Sequence, residues 1–320
     1  MGFRMTARVH PQPTISADEY GKITNLDVHD YGAGITLFRN VVDIDQDLIL
    51  PHLDERVEPS DCGLRYMKED DSEWVEDLLG NPVENGLAKL AEQPFRLGAH
   101  GVDMPVQDDT PQGIVDFFHD CESKTYRCLM RYIDLYPMIL NTLQWRCRGH
   151  ILKYKPGGQL GQHNDNDTNY RVIDGQRYPP DRPQAVYQVM ATIVYLNEDF
   201  EGGEMYFPYP DVTYKPATGD ILFFPQNYVG THSVNPVTAG ERYVYLGNYG
   251  QGGNESVQIK DADQPATWVE QTYLPWVHQD YEKYWQSTRN LRHGVQTPVV
   301  QERPLEAQPE GSLIPHGTLV

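Results

Sequence analysis

The chain has 320 residues, enough for one large domain or two small ones with a substantial core. It is 39% hydrophobic and 11% aromatic, a globular composition, and its 27 glycines and 24 prolines suit short strands joined by turns better than a helical bundle. Forty-six acidic against 26 basic side chains leave a net charge of −20, and no lysine- or arginine-rich run offsets it; such a surface repels phosphate backbones, so no nucleic-acid partner is expected.

Cys62, Cys121, Cys128 and Cys147 are too scattered for a disulfide framework, and no CxxC pair suggests zinc. Cys121 and Cys128 fall about two helical turns apart and read as buried free thiols. The opening residues, MGFRMTARVHPQPT, lack the apolar core of a signal peptide, and their fit to a myristoylation pattern at Gly2 and Thr6 is short enough to arise by chance. No stretch is apolar enough to span a membrane, and the sequons at Asn166 and Asn254 matter only in a secreted chain, so a cytoplasmic location is expected.

In chain order, residues 1–18 read as a loose arm. The run GITLFRNVV from Gly34 is rich in β-formers, and DIDQDLILPHLDERV from Asp43 reads as a short capped helix broken or kinked at Pro51. Residues from Glu58 to Pro94 have weak periodicity and a charge run, KEDDSEWVEDLL; they read as a surface excursion with one helical turn around Trp74 to Leu79, with a lid over a site as the sharper alternative. From Pro111 to Tyr136, Ile114, Phe117, Phe118, Cys121, Leu129 and Met130 recur at mostly helical spacing, which predicts a helix packed on the sheet that follows.

Between Trp145 and Tyr249 the pattern is β. WRCRGHILKY, YQVMATIVYLN, EMYFPYP, GDILFFP and RYVYLGNY are separated by PGG, EGG, KPATG and VTAG, which read as turns. Several runs are apolar on both faces, as in strands covered from both sides, and eight or so such strands in two facing sheets make a jelly roll. After Gly253, PATWVEQTYLPWVHQDYEKYWQ reads as two helical pieces broken near Pro275; their aromatic residues dock on the barrel or on a second copy, the latter giving a homodimer. The expected organisation is an arm (1–18), a helix-and-strand region packing on the core (19–144), the β core (145–253), aromatic helices (254–293) and a tail (294–320).

The stretch KYKPGGQLGQHNDND, from Lys153 to Asp167, sets His163 and Asp165 two residues apart after a glycine-rich turn. On an extended strand such residues share a face, so an imidazole and a carboxylate can converge on one ion. A second histidine, His232, follows GDILFFP and a loop, where a chain returning across the sandwich reaches them. One histidine in a β-rich segment is more often structural than a ligand. Two histidines with a carboxylate and open positions are the facial arrangement of non-haem Fe(II) oxygenases. Asp167 is a rival carboxylate, but the two-residue spacing favours Asp165. Ten residues after His232, Arg242 begins another strand, where its guanidinium alternates inward with Val244 and can hold the distal carboxylate of a dicarboxylic co-substrate.

The segment from about Trp145 to Tyr249 resembles the double-stranded β-helix (jelly-roll, cupin-like) core of the Fe(II)/2-oxoglutarate dioxygenases, in the prolyl-4-hydroxylase-like branch. The resemblance rests on Tyr154 in YKPGG, on His163-Asn164-Asp165, and on Tyr195-Leu196-Asn197 followed by Gly202-Gly203 and Phe207-Pro208. It continues through Lys215-Pro216 to Phe224, then His232-Ser233-Val234 and Arg242. It implies a mainly β fold with packing helices, iron on His163, Asp165 and His232, and 2-oxoglutarate held at its far carboxylate by Arg242 and Tyr195 and lined by Tyr154. The activity it implies uses O2, with ascorbate as a further cofactor. It hydroxylates an unactivated C–H bond of a peptidyl proline or another amino-acid-like substrate and releases succinate and CO2. Two departures bear on this: many relatives carry lysine where Arg242 stands, and Leu160 occupies a substrate-side position that is often aromatic. Related halogenases lack the carboxylate, so Asp165 favours hydroxylation. A biosynthetic small-molecule oxygenase with the same site, catalysing hydroxylation, desaturation or cyclisation, is the alternative, and a non-enzymatic jelly-roll binding module is the third reading. Specificity is expected in the 58–101 excursion, the loop from Tyr170 to Pro183 and the C-terminal helices.

Overall fold

The computed structural model describes residues 15, 19–56, 106, 109–147, 150–165, 187–251, 271–274 and 276–289, with short strand segments at 58–59, 75–76, 82–83, 96–102, 171–173 and 176–178. The expected arm, apart from Ile15, and the tail at 294–320 lie outside the described residues, as does Asp167.

A short helix, α1 (Tyr20–Thr24), precedes the hairpin of β1 (Val28–Gly32) and β2 (Ile35–Phe38). Helix α2 (Gln46–Asp54) is capped by Asp45, whose carboxylate accepts from the Leu48 amide at 3.2 Å. It runs through Pro51 instead of ending there. Proline forfeits one backbone hydrogen bond, and the buried Ile49, His52 and Leu53 around it keep the helix docked. The 58–101 excursion contributes β3 (Glu58–Pro59), β4 (Val75–Glu76), β5 (Pro82–Val83) and β6 (Arg96–Val102). The helical turn expected around Trp74 is therefore wrong at its described positions: Val75 and Glu76 are extended and pair with Val83 and Pro82. Helix α3 (Gln112–Leu135) starts directly after Pro111 and buries Ile114, Phe118, Cys121, Cys128 and Leu129, as the spacing predicts, with both thiols free.

The remaining strands are β7 (Trp145–Cys147), β8 (Ile151–His163), β9 (Arg171–Ile173), β10 (Gln176–Tyr178), β11 (Tyr187–Tyr195), β12 (Phe200–Gly202), β13 (Met205–Phe207), β14 (Val212–Tyr214), β15 (Ile221–Pro225), β16 (His232–Val234), β17 (Val237–Gly240), β18 (Arg242–Gln251) and β19 (Gln271–Tyr273). Helix α4 (Val277–Thr288) closes the described chain. An antiparallel path runs β1-β2-β15-β11-β18-β8-β16-β13-β14, with β6 along β8, β7 on β18 and β19 on β7. This is the jelly-roll, double-stranded β-helix architecture, and its sheet recruits strands well outside 145–253.

Three expected turns are ladder instead. VTAG is β17, paired with Phe200–Gly202 of the supposed EGG turn. PGG lies inside β8, whose partner on one side changes from β18 to β16 across an exposed corner at Lys155–Gly157. Gly157 takes φ +87°, which an L side chain rarely adopts, and so lets the strand turn that corner without ending. Past Gly253, the first expected helical piece is the strand β19 where it is described, and only the second is a helix.

Both faces of the main strands are apolar because both are covered. On β15, Ile221 and Phe223 face the helix-side core while Leu222 and Phe224 face the barrel interior; on β11, Met190 and Val194 oppose Ala191, Ile193 and Tyr195 in the same way. Helix α4 docks on α3 within the chain: Tyr281 and Tyr284 donate to Asp134 at 2.9 and 2.8 Å, and Tyr126 donates to Asp280 at 2.7 Å.

A buried ion pair joins β7 to α3 across the helix-side layer. Arg146 of β7 donates through Nε and Nη2 to the two carboxylate oxygens of Glu122 of α3, both at 2.9 Å, and Nη1 reaches Thr192 Oγ1 at 2.9 Å. Tyr245 adds a 2.6 Å bond to the same carboxylate. A Cβ on Gly247 would lie 2.5 Å from Arg146 Nη2, so glycine there makes room for the guanidinium. Glu122→Leu strands a buried cation, and we expect it to lower the unfolding free energy by about 3–5 kcal/mol in urea denaturation, with the Glu122→Leu/Arg146→Met pair costing much less. Equal losses in the single and double variants would show that the pairing is not what stabilises this layer.

Candidate metal and co-substrate site

Cross-strand register assembles the site. On the β8–β16 ladder His232 stands directly opposite His163, and their ring centroids lie 4.4 Å apart. Asp165 is not on the strand, as its spacing suggested, but in the turn that follows β8. Its Oδ1 nonetheless comes to 3.4 Å from His163 Nε2, and the ligand atoms of His163, Asp165 and His232 all lie within 4.8 Å of one another.

Each imidazole is oriented through its far nitrogen. His163 Nδ1 is 2.9 Å from the Gly161 carbonyl, and His232 Nδ1 is 3.0 Å from the Gly230 carbonyl. A carbonyl can only accept, so each Nδ1 carries a proton and each ring is turned with Nε2 toward the other ligand atoms. Gly230 must be glycine: a Cβ there would meet the Pro225 carbonyl oxygen at 1.7 Å. Burial, reinforced by the neighbouring His163, drives the His232 pKa down to about 4 against the pull of Asp165, so this imidazole is neutral and able to ligate at neutral pH. Burial pushes the Asp165 carboxyl up, but His163, His232 and Gln226 outweigh it and hold the group below its ordinary value, as an anion. Two imidazole nitrogens and one carboxylate oxygen brought this close together are a donor set that suits Fe(II) with positions to spare.

Arg242 starts β18 opposite Tyr154, is 1% exposed, and lies in the barrel interior with its guanidinium 5.1 and 5.4 Å from the Tyr154 and Tyr195 rings. A Cβ on Gly203 would meet Arg242 Cδ at 3.0 Å, so this glycine leaves the side chain its room. Arg242 Nε and Nη2 are buried and have no hydrogen-bond partner among the described residues. These two N–H groups form the edge that Glu122 fills bidentately on Arg146. In Arg242 that edge can take a carboxylate from a ligand. Burial raises the Tyr195 phenol despite the opposing charge of Arg242, so it stays protonated, and its hydroxyl lies 2.8 Å from Met205 Sδ.

One residue here escaped the sequence reading. Gln226, 2% exposed at the end of β15, donates from Nε2 to Asp165 Oδ2 at 3.1 Å. The available signal was a polar side chain directly after the apolar run ILFFP, six residues before His232. The side chains of the Tyr170–Pro183 loop lie outside the described residues, though β9 and β10 form a hairpin within it.

Residues 149–250 match the model of the 2OG-Fe(II) oxygenase superfamily. A PKHD-type hydroxylase of Pseudomonas putida is 33% identical over 94 residues, which is 28% of this chain and 37% of that protein. Human prolyl 3-hydroxylase 2 is 25% identical over 136 residues, 39% of this chain and 19% of that protein. The chain thus spans less than half the length of these curated relatives. The crystal structure of a Pseudomonas putida prolyl-4-hydroxylase aligns with a TM-score of 0.41 at 14% identity, over 74% of this chain and 99% of that one. No described helix is long and apolar enough to cross a membrane. The similarity to the 2OG-Fe(II) oxygenase superfamily thus lies in residues 149–250, the segment that carries His163, Asp165, His232 and Arg242.

Proposed function

We propose that the protein is an Fe(II)- and 2-oxoglutarate-dependent dioxygenase that hydroxylates an unactivated C–H bond of a peptidyl proline or another amino-acid-like substrate, releasing succinate and CO2. The observation that carries this reading is the unfilled, buried Nε/Nη2 edge of Arg242 in the same barrel as the His163, Asp165 and His232 donor set. A metal triad alone would suit many chemistries. A buried cation whose Nε and Nη2 have no partner among the described residues supports a dicarboxylate co-substrate.

In this reading His163 and His232 hold the iron through Nε2 and Asp165 through one oxygen. Arg242, its guanidinium against the Tyr154 and Tyr195 rings, would take the distal carboxylate of 2-oxoglutarate on its Nε/Nη2 edge. Bound iron supplies the activation of O2, coupled to oxidative decarboxylation of 2-oxoglutarate, that oxidises the substrate carbon. The chain contributes orientation and dryness. Its backbone carbonyls at Gly161 and Gly230 aim the imidazoles, and the apolar barrel side chains Leu152, Ile193, Phe207 and Phe224 keep water from the co-substrate. Proline as the substrate rests on the name of one relative, human prolyl 3-hydroxylase 2.

The direct test is succinate formation from 2-oxoglutarate by the Fe(II)-loaded protein, with proline-rich peptides compared against free amino acids. His163→Ala is expected to reduce it to the metal-free background, and near-normal turnover would show that the triad is misassigned. Arg242→Ala removes a charge-assisted bidentate contact worth about 1.5–3 kcal/mol, so the KM for 2-oxoglutarate should rise roughly 10–100-fold while metal affinity is kept; an unchanged KM would move the carboxylate site elsewhere. The depressed His232 pKa has its own consequence in the metal-free protein. Unfolding restores an ordinary value of about 6.5, so the unfolded chain takes up the proton first as pH falls. The associated stability is full above about pH 6.5 and is lost between there and about pH 4, amounting to roughly 3 kcal/mol. Urea denaturation across that range should show the slope, and His232→Asn should flatten it; an equal slope in the variant would contradict the assignment.

A further inference from the structure

Both histidines of the triad are aimed by their own backbone, each through the carbonyl two residues earlier. Asp165 has no such fixture in the strand: it lies in the turn beyond β8, where neither face nor register sets its carboxylate. What meets it is Gln226. Its backbone amide is bonded to the Val189 carbonyl at 3.1 Å, which pins the residue to β11, and its side-chain nitrogen donates to Asp165 Oδ2 at 3.1 Å. The same nitrogen lies 2.8 Å from Asn248 Oδ1 and 3.3 Å from Gln188 Oε1. Three acceptors therefore surround a group with two protons, while Gln226 Oε1 is buried with no partner among the described residues.

That arrangement has one cause. Asn248 and Gln188 carry amides of their own and could turn to offer N–H instead of oxygen. The Asp165 carboxylate can only accept. It alone fixes the Gln226 amide with nitrogen inward, and the buried carbonyl goes without a donor as a result.

We propose that Gln226 is a positioning residue for Asp165: its amide occupies Oδ2, so that Oδ1, on the His163 side, is the single oxygen offered to a metal. This rests on the assignment of Asp165 as a ligand. A carboxylate held in this way ligates through one oxygen and leaves the remaining coordination positions for co-substrate and O2. Released, it can swing away or close on the ion through both oxygens.

The test uses Co(II) as the probe, titrated into the metal-free full chain and followed by visible d–d absorption and by calorimetry. Gln226→Leu keeps the volume of the side chain and removes the donor. It should weaken Co(II) binding about 10–100-fold, as the loss of an outer partner does at other metal sites, and change the intensity of the d–d bands. Circular dichroism of the metal-free variant should match the parent. Should Gln226→Leu fail to fold, Gln226→Asn retains an amide one methylene too short to reach Asp165 and should show the same loss. Asn248→Ala, which leaves the Asp165 bond in place, should move Co(II) affinity much less than either. If the parent protein binds Co(II) and both Gln226 variants bind it with the parent's affinity and spectrum, the positioning role is overturned. If the parent itself binds no Co(II), the ligand assignment on which the proposal rests falls first.

Discussion

Antiparallel pairing along β8 is the constraint on which the site depends. This strand meets β18 over its first half and β16 over its second, with β6 alongside, and turns a corner between the halves at Gly157. The first ladder sets Arg242 opposite Tyr154, and the second sets His232 opposite His163. The unpartnered Nε/Nη2 edge of Arg242 and the imidazole pair are therefore both placed by the pairing of one strand. Because side chains alternate with period two, a slip of one residue would carry Arg242 to the helix-covered face of its ladder, or His232 to the outer face of the other, where Ser233 stands half-exposed. The apolar demand on both faces resists such a slip: Leu152 and Tyr154 belong inside the barrel and Ile151 belongs under the helices.

Two buried arginines show how the same group serves structure in one place and binding in another. Arg146 and Arg242 both lie against tyrosine rings in the strand layers. Arg146 has a carboxylate on its Nε/Nη2 edge, a threonine on Nη1 and a glycine beneath it; every feature around it completes an internal pair. Around Arg242 the glycine and the rings are present, but no carboxylate among the described residues meets that edge. Burying a cation with an unsatisfied edge costs stability, and a fold that keeps such an arrangement retains a place for an anion.

Much of this was legible in the chain. The apolar runs ILFFP, YQVMATIVY and RYVYLG announce doubly covered strands, and the Pro111–Tyr136 spacing fixes α3 nearly to the residue. The ordered set from Tyr154 to Arg242 identified the donor residues that the fold brings together. What was hidden was carried by small residues. Strand β6, RLGAHGV, has two glycines where a strand pattern needs side chains, and VTAG reads as a turn because its pairing with Phe200–Gly202 is long-range. Helix α2 survives Pro51 through burial that local propensity does not register. Gln226 escaped because a lone amide after a strand has no pattern; its role depends on an aspartate that left the strand.

The central claim is that one barrel holds a facial iron site and, a strand away, a cation that seats the far carboxylate of 2-oxoglutarate. Anaerobic visible absorption tests it without knowledge of the substrate. Addition of 2-oxoglutarate to the Fe(II)-loaded protein should produce a metal-to-ligand charge-transfer band, because a keto acid seated by its far carboxylate on Arg242 would present its keto and near carboxylate oxygens to the iron. A protein that binds Fe(II) stoichiometrically yet shows no such band at saturating 2-oxoglutarate would contradict the account.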